Sequence, residues 1–211
     1  MVFDCDGLLM DTEPCWTVAE TALFARRGLP FGVEQKALVI GKSIPAASEL
    51  LADLFGQQGA ASAIADELLT LVAEVVTAQA QVMPGASLLV ELVKAAGLPF
   101  AVASNSPRAL LEAALARGGF TGTFPVSIAA NEVERPKPAP EMYQRACTML
   151  GVAPQDTLAF EDSLTGLKSA QAAGVHVVAV PTLRNQVFPA DHVANSLLDT
   201  DLSDWIRGWR E

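Results

Sequence analysis

The sequence predicts an α/β protein in which helices flank a parallel β-sheet and a helical domain is inserted after the first strand. The chain has 211 residues, of which 51% are hydrophobic and only 18% charged, so it contains enough apolar material for a compact core. From residue 87 onward, short apolar runs alternate with helix-length amphipathic runs, which is typical of βα units on a parallel sheet. Residues 14–82 lack strand-like runs and show helical periodicity instead.

The predicted strands are short and mostly apolar, as expected where both faces of a parallel sheet are buried. Each helix predicted among them is followed by glycine, a common residue at helix ends. The strands are expected at 2–3, 100–104, 125–129, 157–161 and 175–180, and the helices at 86–96, 107–117, 139–150 and 164–173. Residues 183–202 form a weakly patterned tail, and a short last helix around Trp205 is expected after it.

The change of pattern also predicts the domain boundaries. Residues 1–13 and 83–211 are expected to form the α/β core, and residues 14–82 the inserted helical domain. Thr12 is placed to cap the first helix of the insertion. The Pro-Gly pair at 84–85 interrupts any continuous helix where the chain returns to the core.

Charge and cysteine content exclude several classes of function. The chain has 14 Lys and Arg against 24 Asp and Glu, which gives a formal net charge of −10 and a pI near 4.6. Because such a charge repels nucleic acids and anionic membranes, neither is an expected partner. Three widely spaced cysteines predict no disulfide framework and no zinc site, and they favour the reducing cytoplasm.

The N-terminus and the apolar runs indicate neither a signal peptide nor a membrane span. No basic and apolar leader precedes the first strand, and every long apolar run contains charge, Gly or Pro. A cytoplasmic protein is therefore expected, and since nothing in the sequence demands more than a monomer, a monomer is expected. Because the first strand is very short, we also expect a few residues to precede Met1 in the complete protein.

Polar side chains cluster where the predicted strands end. The relevant segments are Asp-Cys-Asp-Gly at 4–7, Ser-Asn-Ser at 104–106, Arg-Pro-Lys-Pro at 135–138 and Glu-Asp-Ser at 161–163. Ligands of open α/β sheets bind at the carboxyl ends of strands, so these segments are expected to share one rim. Crowded carboxylates repel one another unless a cation lies among them, and oxygen ligands without His or Cys favour Mg²⁺.

The same residue types suit phosphoryl transfer. Lys137, Ser104 and Asn105 are placed to hold the oxygens of a phosphoryl group beside a bound metal. The nucleophile is then a side chain or a water molecule, and both histidines are badly placed for a general base. Asp4 and Asp6 can divide the work, with Asp4 attacking phosphorus while Asp6 protonates the leaving oxygen and then deprotonates water.

In this order and at these strand ends, the four segments resemble the motifs of the haloacid dehalogenase-like (HAD) hydrolase superfamily. The resemblance covers nearly the whole chain. It implies a Rossmann-like core with a small helical cap that closes over the motifs and excludes water. It also implies that Asp4 forms an aspartyl-phosphate, that Asp6 is the acid and base, and that Ser104 and Lys137 bind the phosphoryl group.

The resemblance further implies a Mg²⁺ site. Its ligands would be Asp4, the main-chain carbonyl of Asp6, and the pair Glu161 and Asp162, of which we favour Asp162 as the direct ligand. A simpler explanation of that pair is that both acids complement the dipole of the helix that follows them. By the same local reasoning, Ser106 is expected to cap the helix after it.

Departures from the family pattern narrow the function. Asp6 favours phosphoryl transfer, since dehalogenases of the family typically lack this second aspartate. Trp16 stands where beta-phosphoglucomutase carries a histidine, and the segment 11–16 is more similar to that of sugar- and hexitol-phosphate phosphatases. Glu13 and Lys42, both near or within the insertion, are the candidate residues for substrate specificity.

The expected function is therefore Mg²⁺-dependent hydrolysis of a small phosphomonoester, a sugar or sugar-alcohol phosphate, through an aspartyl-phosphate. One alternative is a phosphosugar mutase, in which the phosphoryl group returns to the substrate before water reaches it. A second alternative is a non-catalytic sensor of phosphorylated metabolites on the same fold. Such a sensor would be expected to have lost a motif residue, and all of them are present here.

Overall fold

A computed structural model describes residues 1–40, 42–182 and 187–208 of the chain. These residues form two compact units. One unit consists of Met1–Asp11 and Gln81–Glu211, and the other of Thr12–Ala80. Each unit is described separately below.

The strands belong to the first unit. In chain order over the described residues they are β1 (Val2–Phe3), β2 (Met10–Asp11), β3 (Gln81–Val82), β4 (Ala101–Ser104), β5 (Val126–Ala129), β6 (Leu158–Glu161), β7 (His176–Ala179) and β8 (His192–Val193). Six of these described strands form one parallel sheet in the order β5-β4-β1-β6-β7-β8. The chain builds outward from β1 in both directions, so the order reverses at β1, where open sheets place their ligand sites.

In the described chain, four consecutive helices lie between β2 and β3, and the next four alternate with the strands from β3 to β7, as the sequence predicts. In chain order they are α1 (Glu13–Ala25), α2 (Val33–Val39), α3 (Ile44–Leu54), α4 (Ala61–Gln79), α5 (Ala86–Ala95), α6 (Arg108–Arg117), α7 (Glu141–Leu150), α8 (Leu164–Ala172) and α9 (Thr200–Gly208). The predicted α/β fold with a parallel sheet is confirmed. Its five predicted strands are present to within one residue at each end, and the helices between them to within two.

Both faces of the sheet are buried, which explains why the strands carry apolar runs without alternation. Val2 packs into a core cluster with Tyr143 of α7 and Leu167 of α8. The next residue, Phe3, points to the opposite face because side chains alternate along a strand. There its ring stacks on Phe160 with 5.1 Å between ring centroids.

Two parts of the sheet structure differ from the sequence prediction. The weakly patterned tail, for which no strand was predicted, contributes β8 to the edge of the main sheet. The strand β3, at the end of the segment that was predicted to be helical only, pairs antiparallel with β2. Both elements are two residues long, so they leave no periodicity in the sequence, and their formation depends on partners far along the chain.

The second unit, Thr12–Ala80, contains α1 to α4, with α1 and α3 packed on α4. Phe24 of α1 lies 4.9 Å from Phe55 between ring centroids. Thr12 stands at the N-cap position of α1 as predicted, although its side chain accepts no capping hydrogen bond from the described backbone. No described helix of the chain combines the length and the apolar character needed to cross a membrane.

Candidate active site

The structure brings the predicted polar residues of three neighbouring strands to one edge of the sheet. Asp4 directly follows β1, Ser104 is the last residue of β4, and Glu161 is the last residue of β6. Because β1 pairs in parallel with both β4 and β6, the carboxyl ends of these three strands lie side by side. All three residues are buried, with Asp4 7% exposed and the other two fully enclosed.

Lys137 joins these strand ends from the loop before α7. Its ammonium group donates to Asp4 Oδ1 at 2.6 Å, to Glu161 Oε1 at 2.6 Å and to the carbonyl oxygen of Ala103 at 2.8 Å. The lysine side chain is only 3% exposed, so these contacts lie in a region from which water is largely excluded. One buried ammonium is therefore shared between two buried carboxylates.

Burial and charge act in opposite directions on this cluster. Burial raises the pKa of Asp4 well above its usual range, Lys137 opposes that shift, and the neighbouring carboxylates add to it. Burial alone would lower the pKa of Lys137, but the carboxylates of Asp4 and Glu161 outweigh it and hold the pKa of the ammonium well above its usual range. Lys137 therefore stays charged at neutral pH, and the cluster still has an excess of acidic groups.

A second group of acidic oxygens lies beside this ion pair. Asp4, Glu161 and Asp162 each offer one carboxylate oxygen, and these three oxygens lie within 4.8 Å of one another. Burial, followed by the charge of Glu161, raises the pKa of Asp162 to about 7, although Thr182 donates its hydroxyl to Asp162 Oδ2 at 2.9 Å. Oxygen donors that repel one another are the kind of ligand set that a hard divalent cation relieves. The residues present fit such a metal.

The carboxylate of Glu161 is held in a fixed orientation by its neighbours. Oε1 accepts from Lys137 Nζ and from the hydroxyl of Tyr143, a fully buried residue of α7. Oε2 is also buried, and it has no hydrogen-bond partner among the described residues. An unpaired buried carboxylate oxygen is costly, which is a further reason to expect a cation nearby.

Gly166 of α8 lies against the same carboxylate, and its lack of a side chain leaves room for it. A Cβ atom on Gly166 would lie 1.9 Å from Glu161 Oε2. We expect Gly166→Ala to lower the free energy of unfolding by about 1–3 kcal/mol through overpacking, whereas Gly→Ala at an unobstructed helix position raises it by up to about 1 kcal/mol. Urea unfolding measures the difference. Lys168→Ala, an exposed change in α8, is the control, and a Gly166→Ala protein of raised stability would contradict this packing.

Asp6 contacts the strand end of β4. Its Oδ2 accepts hydrogen bonds from the hydroxyls of Ser104 at 2.7 Å and of Ser106 at 2.9 Å. The main-chain N–H of Ser106 in turn donates to Ser104 Oγ at 2.9 Å. The expectation that Ser106 caps the next helix is wrong, because Pro107 occupies the N-cap position of α6 and the Ser106 hydroxyl turns toward Asp6.

Asn105 contacts the main chain of Lys137. Its side-chain amide donates to the carbonyl oxygen of Lys137 at 3.0 Å, and its Oδ1 accepts from the N–H of Lys137 at 2.9 Å. The side chain that was predicted to hold phosphoryl oxygens is thus engaged with a neighbouring loop. No sequence pattern indicates this pair, since the two residues lie on separate segments.

The predicted specificity residues Glu13 and Lys42 belong to the helical unit. Glu13, the first residue of α1, is exposed and lies 2.8 Å from Lys36 Nζ of α2. The same ammonium lies 2.8 Å from Glu20 Oε2. Burial raises the pKa of Glu20. Lys42 is exposed in the segment between α2 and α3. Neither residue belongs to the acidic cluster formed by Asp4, Glu161 and Asp162.

Sequence reasoning missed three contributors to this site. Tyr143 looks like an ordinary core aromatic on an amphipathic helix, Gly166 like a helix glycine, and Thr182 like a loop residue after β7. Their roles depend on which side chains they meet across the fold. Only Tyr143 had a weak signal, since a phenol that is buried requires a partner for its hydroxyl.

Comparisons with known proteins found related sequences and similar folds. Residues 1–174 match the haloacid dehalogenase-like hydrolase family. The chain is 29% identical over 185 residues to fructose-1-phosphate phosphatase YqaB of Escherichia coli (strain K12). The match covers 87% of this chain and 96% of that protein. Its described fold is similar to CbbY from Rhodobacter sphaeroides in complex with phosphate, with a TM-score of 0.82, 26% identity and 94% of both chains covered.

A further relative matches over part of its length. The chain is 40% identical over 127 residues to the bifunctional riboflavin kinase/FMN phosphatase of Arabidopsis thaliana. The match covers 58% of this chain and 34% of that protein, so the chain spans about a third of that relative.

Proposed function

Because this chain belongs to the haloacid dehalogenase-like hydrolase family, we propose that it is a Mg²⁺-dependent phosphatase of a small phosphomonoester, a sugar or sugar-alcohol phosphate. The observation that carries the proposal is the buried ammonium of Lys137, 2.6 Å from both Asp4 and Glu161 at the ends of adjacent strands. Relatives named as a fructose-1-phosphate phosphatase and an FMN phosphatase support the reaction class.

Asp4 is the proposed nucleophile. Lys137 holds Asp4 Oδ1 and favours the ionised carboxylate, and the enclosing strand ends keep the side chain in one position. In the first step, an oxygen of Asp4 forms a bond to phosphorus while the ester oxygen leaves with its bonding electrons. The leaving oxygen takes a proton from Asp6. The product of this step is an aspartyl-phosphate on Asp4.

Asp6 then acts as the base of the second step. It removes a proton from water, the resulting hydroxide oxygen bonds to phosphorus, and the bond between phosphorus and Asp4 breaks, which regenerates the free carboxylate. The hydroxyl of Ser106 holds the Asp6 carboxylate in place for both proton transfers. Ser104 and Lys137 are also the proposed donors to the phosphoryl oxygens. Because Ser104 has one hydroxyl proton, which Asp6 accepts in the free protein, that proton turns to the phosphoryl group when the substrate binds, and the Lys137 ammonium exchanges one of its three contacts.

The proposed metal ligands are Asp4, Asp162 and the main-chain carbonyl of Asp6. Asp162 is favoured over Glu161 because Oε1 of Glu161 is already bonded by both Lys137 and Tyr143, and its Oε2 lies against Gly166 of α8. A bound Mg²⁺ supplies positive charge that favours the approach of an anionic phosphoryl group and its transition state. Glu161 then serves mainly to orient Lys137.

The binding of Mg²⁺ is expected to weaken as the pH falls below about 7. The pKa of Asp162 is raised to about 7, so below that pH a proton competes with the metal for the carboxylate. For one such group the loss approaches about tenfold per pH unit. Titration calorimetry with MgCl₂ at about pH 8 and about pH 6 measures it, and equal affinities at the two pH values would contradict the assignment.

The stability of the metal-free protein should depend on pH in the opposite direction to Mg²⁺ binding. Because the folded pKa of Asp162 lies above its usual value of 3.8, the metal-free protein loses stability as the pH rises from about 4 to about 7. Asp162→Asn is the matched variant for both measurements. It should bind Mg²⁺ more weakly and lose most of the dependence on pH in this range.

The helical unit Thr12–Ala80 is proposed to act as the cap and to carry the residues that recognise the alcohol part of the substrate. Glu13 and Lys42 are the proposed contacts. Lys36 fixes Glu13 at 2.8 Å and so limits the orientation of its carboxylate. Changes at Glu13 or Lys42 should therefore alter the ranking of substrates more than the activity toward a simple aryl phosphate.

Phosphate release across a panel of phosphomonoesters tests the proposed function. The panel contains sugar phosphates, hexitol phosphates, nucleotides, phosphoglycolate and an aryl phosphate, each with MgCl₂ and with a chelator. We expect release from at least one sugar or hexitol phosphate, which the chelator abolishes. No release from any member, or an isomerised sugar phosphate without free phosphate, would contradict the proposal.

A further inference from the structure

We propose that Asn105 is a positioning residue that acts on the reaction through Lys137. It fixes the main chain of the Pro-Lys-Pro segment at 136–138, so that the lysine side chain reaches Asp4 and Glu161. The inference rests on the proposed function, in which Lys137 serves phosphoryl transfer. The contact itself is a property of the fold and can be tested without any substrate.

Two reciprocal hydrogen bonds connect Asn105 to the main chain of Lys137. The amide nitrogen donates to the lysine carbonyl at 3.0 Å, and the amide oxygen accepts from the lysine N–H at 2.9 Å. Asn105 comes directly after β4, so the bonds tie the loop of Lys137 to the end of a central strand. A pair of bonds to both polar groups of one residue fixes its orientation as well as its position.

The segment has few other groups by which it could be fixed. Pro136 and Pro138 have no N–H, so Lys137 carries the one main-chain donor of the three residues. The carbonyl of Pro136 accepts from the N–H of Ala139 at 3.0 Å, which bends the loop locally but does not tie it to the sheet. Asn105 therefore binds both main-chain polar groups of Lys137, the residue of this segment whose side chain reaches Asp4 and Glu161.

The contacts of the Lys137 side chain require an accurately placed main chain. Its ammonium makes three contacts between 2.6 and 2.8 Å, to Asp4, Ala103 and Glu161. A shift of the main chain by about 1 Å would lengthen or break them, and misplacement of that size costs about a hundredfold in rate. Loss of the Asn105 bonds thus reaches the reaction through the position of the ammonium.

Amide hydrogen exchange of Lys137, measured by NMR, is the first test. Asn105→Ala removes the acceptor of the Lys137 N–H, and its exchange should become about tenfold faster or more. Asn105→Asp keeps an acceptor for that N–H and should retain most of the protection. Asn131→Ala is the control and should leave the exchange of the Lys137 N–H unchanged. Asn131 accepts in the same manner, but from the N–H of Arg108 at 2.9 Å. Unchanged exchange of Lys137 in Asn105→Ala would overturn the proposal.

A double-mutant cycle is the second test. Asn105→Ala alone should lower kcat/KM for an active phosphomonoester by about tenfold to a hundredfold, while Asn131→Ala leaves it unchanged. In the Lys137→Met background, Asn105→Ala should add less than about threefold. Equal losses in both backgrounds would show a direct substrate contact and overturn the proposal.

The two tests separate this inference from the proposed function. If Lys137→Met does not fold, the exchange measurement decides alone. If the wild-type protein releases phosphate from no substrate while Lys137 exchange responds to Asn105→Ala as expected, the proposed function fails and the positioning contact stands.

Discussion

Asp4→Asn is expected to lower kcat by about 10⁴-fold or more while leaving the protein folded. The amide has the volume of the carboxylate but cannot act as a nucleophile toward phosphorus. The fold should tolerate the change, because burial, with the neighbouring carboxylates, raises the pKa of Asp4 and so favours a neutral group at this position. The amide oxygen can still accept the hydrogen bond from Lys137. Steady-state phosphate release and thermal unfolding measure the two effects.

The control for this change is Asp156→Asn at an exposed position of the 3-10 helix Pro154–Asp156. It makes the same chemical substitution away from the strand ends and should leave kcat unchanged. An Asp4→Asn protein with more than about a tenth of the wild-type kcat would exclude the covalent route. An attack by water on the substrate would then replace it.

Lys137→Met is expected to lower the free energy of unfolding by about 3–5 kcal/mol and to reduce activity strongly. The methionine fills much of the space of the lysine stem but leaves Asp4 and Glu161 as buried carboxylates without their shared counter-ion. Urea unfolding in the presence of a chelator isolates this effect from any bound cation. The loss should shrink at acidic pH, because protonation of Asp4 removes the unpaired charge.

Two variants establish the cause of that loss. Lys168→Met on the exposed face of α8 makes the same substitution outside the cluster and should change stability by less than about 0.5 kcal/mol. Glu161→Gln in the Lys137→Met background removes one of the stranded carboxylates and should recover part of the stability. If Lys137→Met is as stable as the wild type, the ion pairs do not contribute as described.

The positions of Asp4, Ser104 and Glu161 could be predicted from the sequence because parallel strands determine where their ends lie. Each residue ends or follows an apolar run, and consecutive parallel strands bring such ends to one edge of the sheet. Lys137 could be included because it is the one lysine among the four strand-end segments. Local pattern and topology together were therefore sufficient for these residues.

Contacts that depend on exact three-dimensional packing could not be predicted in this way. The hydroxyl of Tyr143 reaches Glu161 from a different helix, and Gly166 leaves space for that carboxylate without any conformational signature in the sequence. Ser106 satisfied a local rule for helix caps, but a neighbouring carboxylate competed more strongly for its hydroxyl. The edge strand β8 has only two residues and no periodicity to read.

The mass of the acid-quenched protein shows whether Asp4 carries the phosphoryl group during turnover. The protein is mixed with MgCl₂ and its preferred phosphomonoester, quenched in acid during turnover, digested and analysed by mass spectrometry. One phosphoryl group is predicted on the peptide that contains Asp4, and it should be absent from Asp4→Asn. Rapid phosphate release with no phosphoryl group on any peptide, or with one on a residue other than Asp4, would contradict the account.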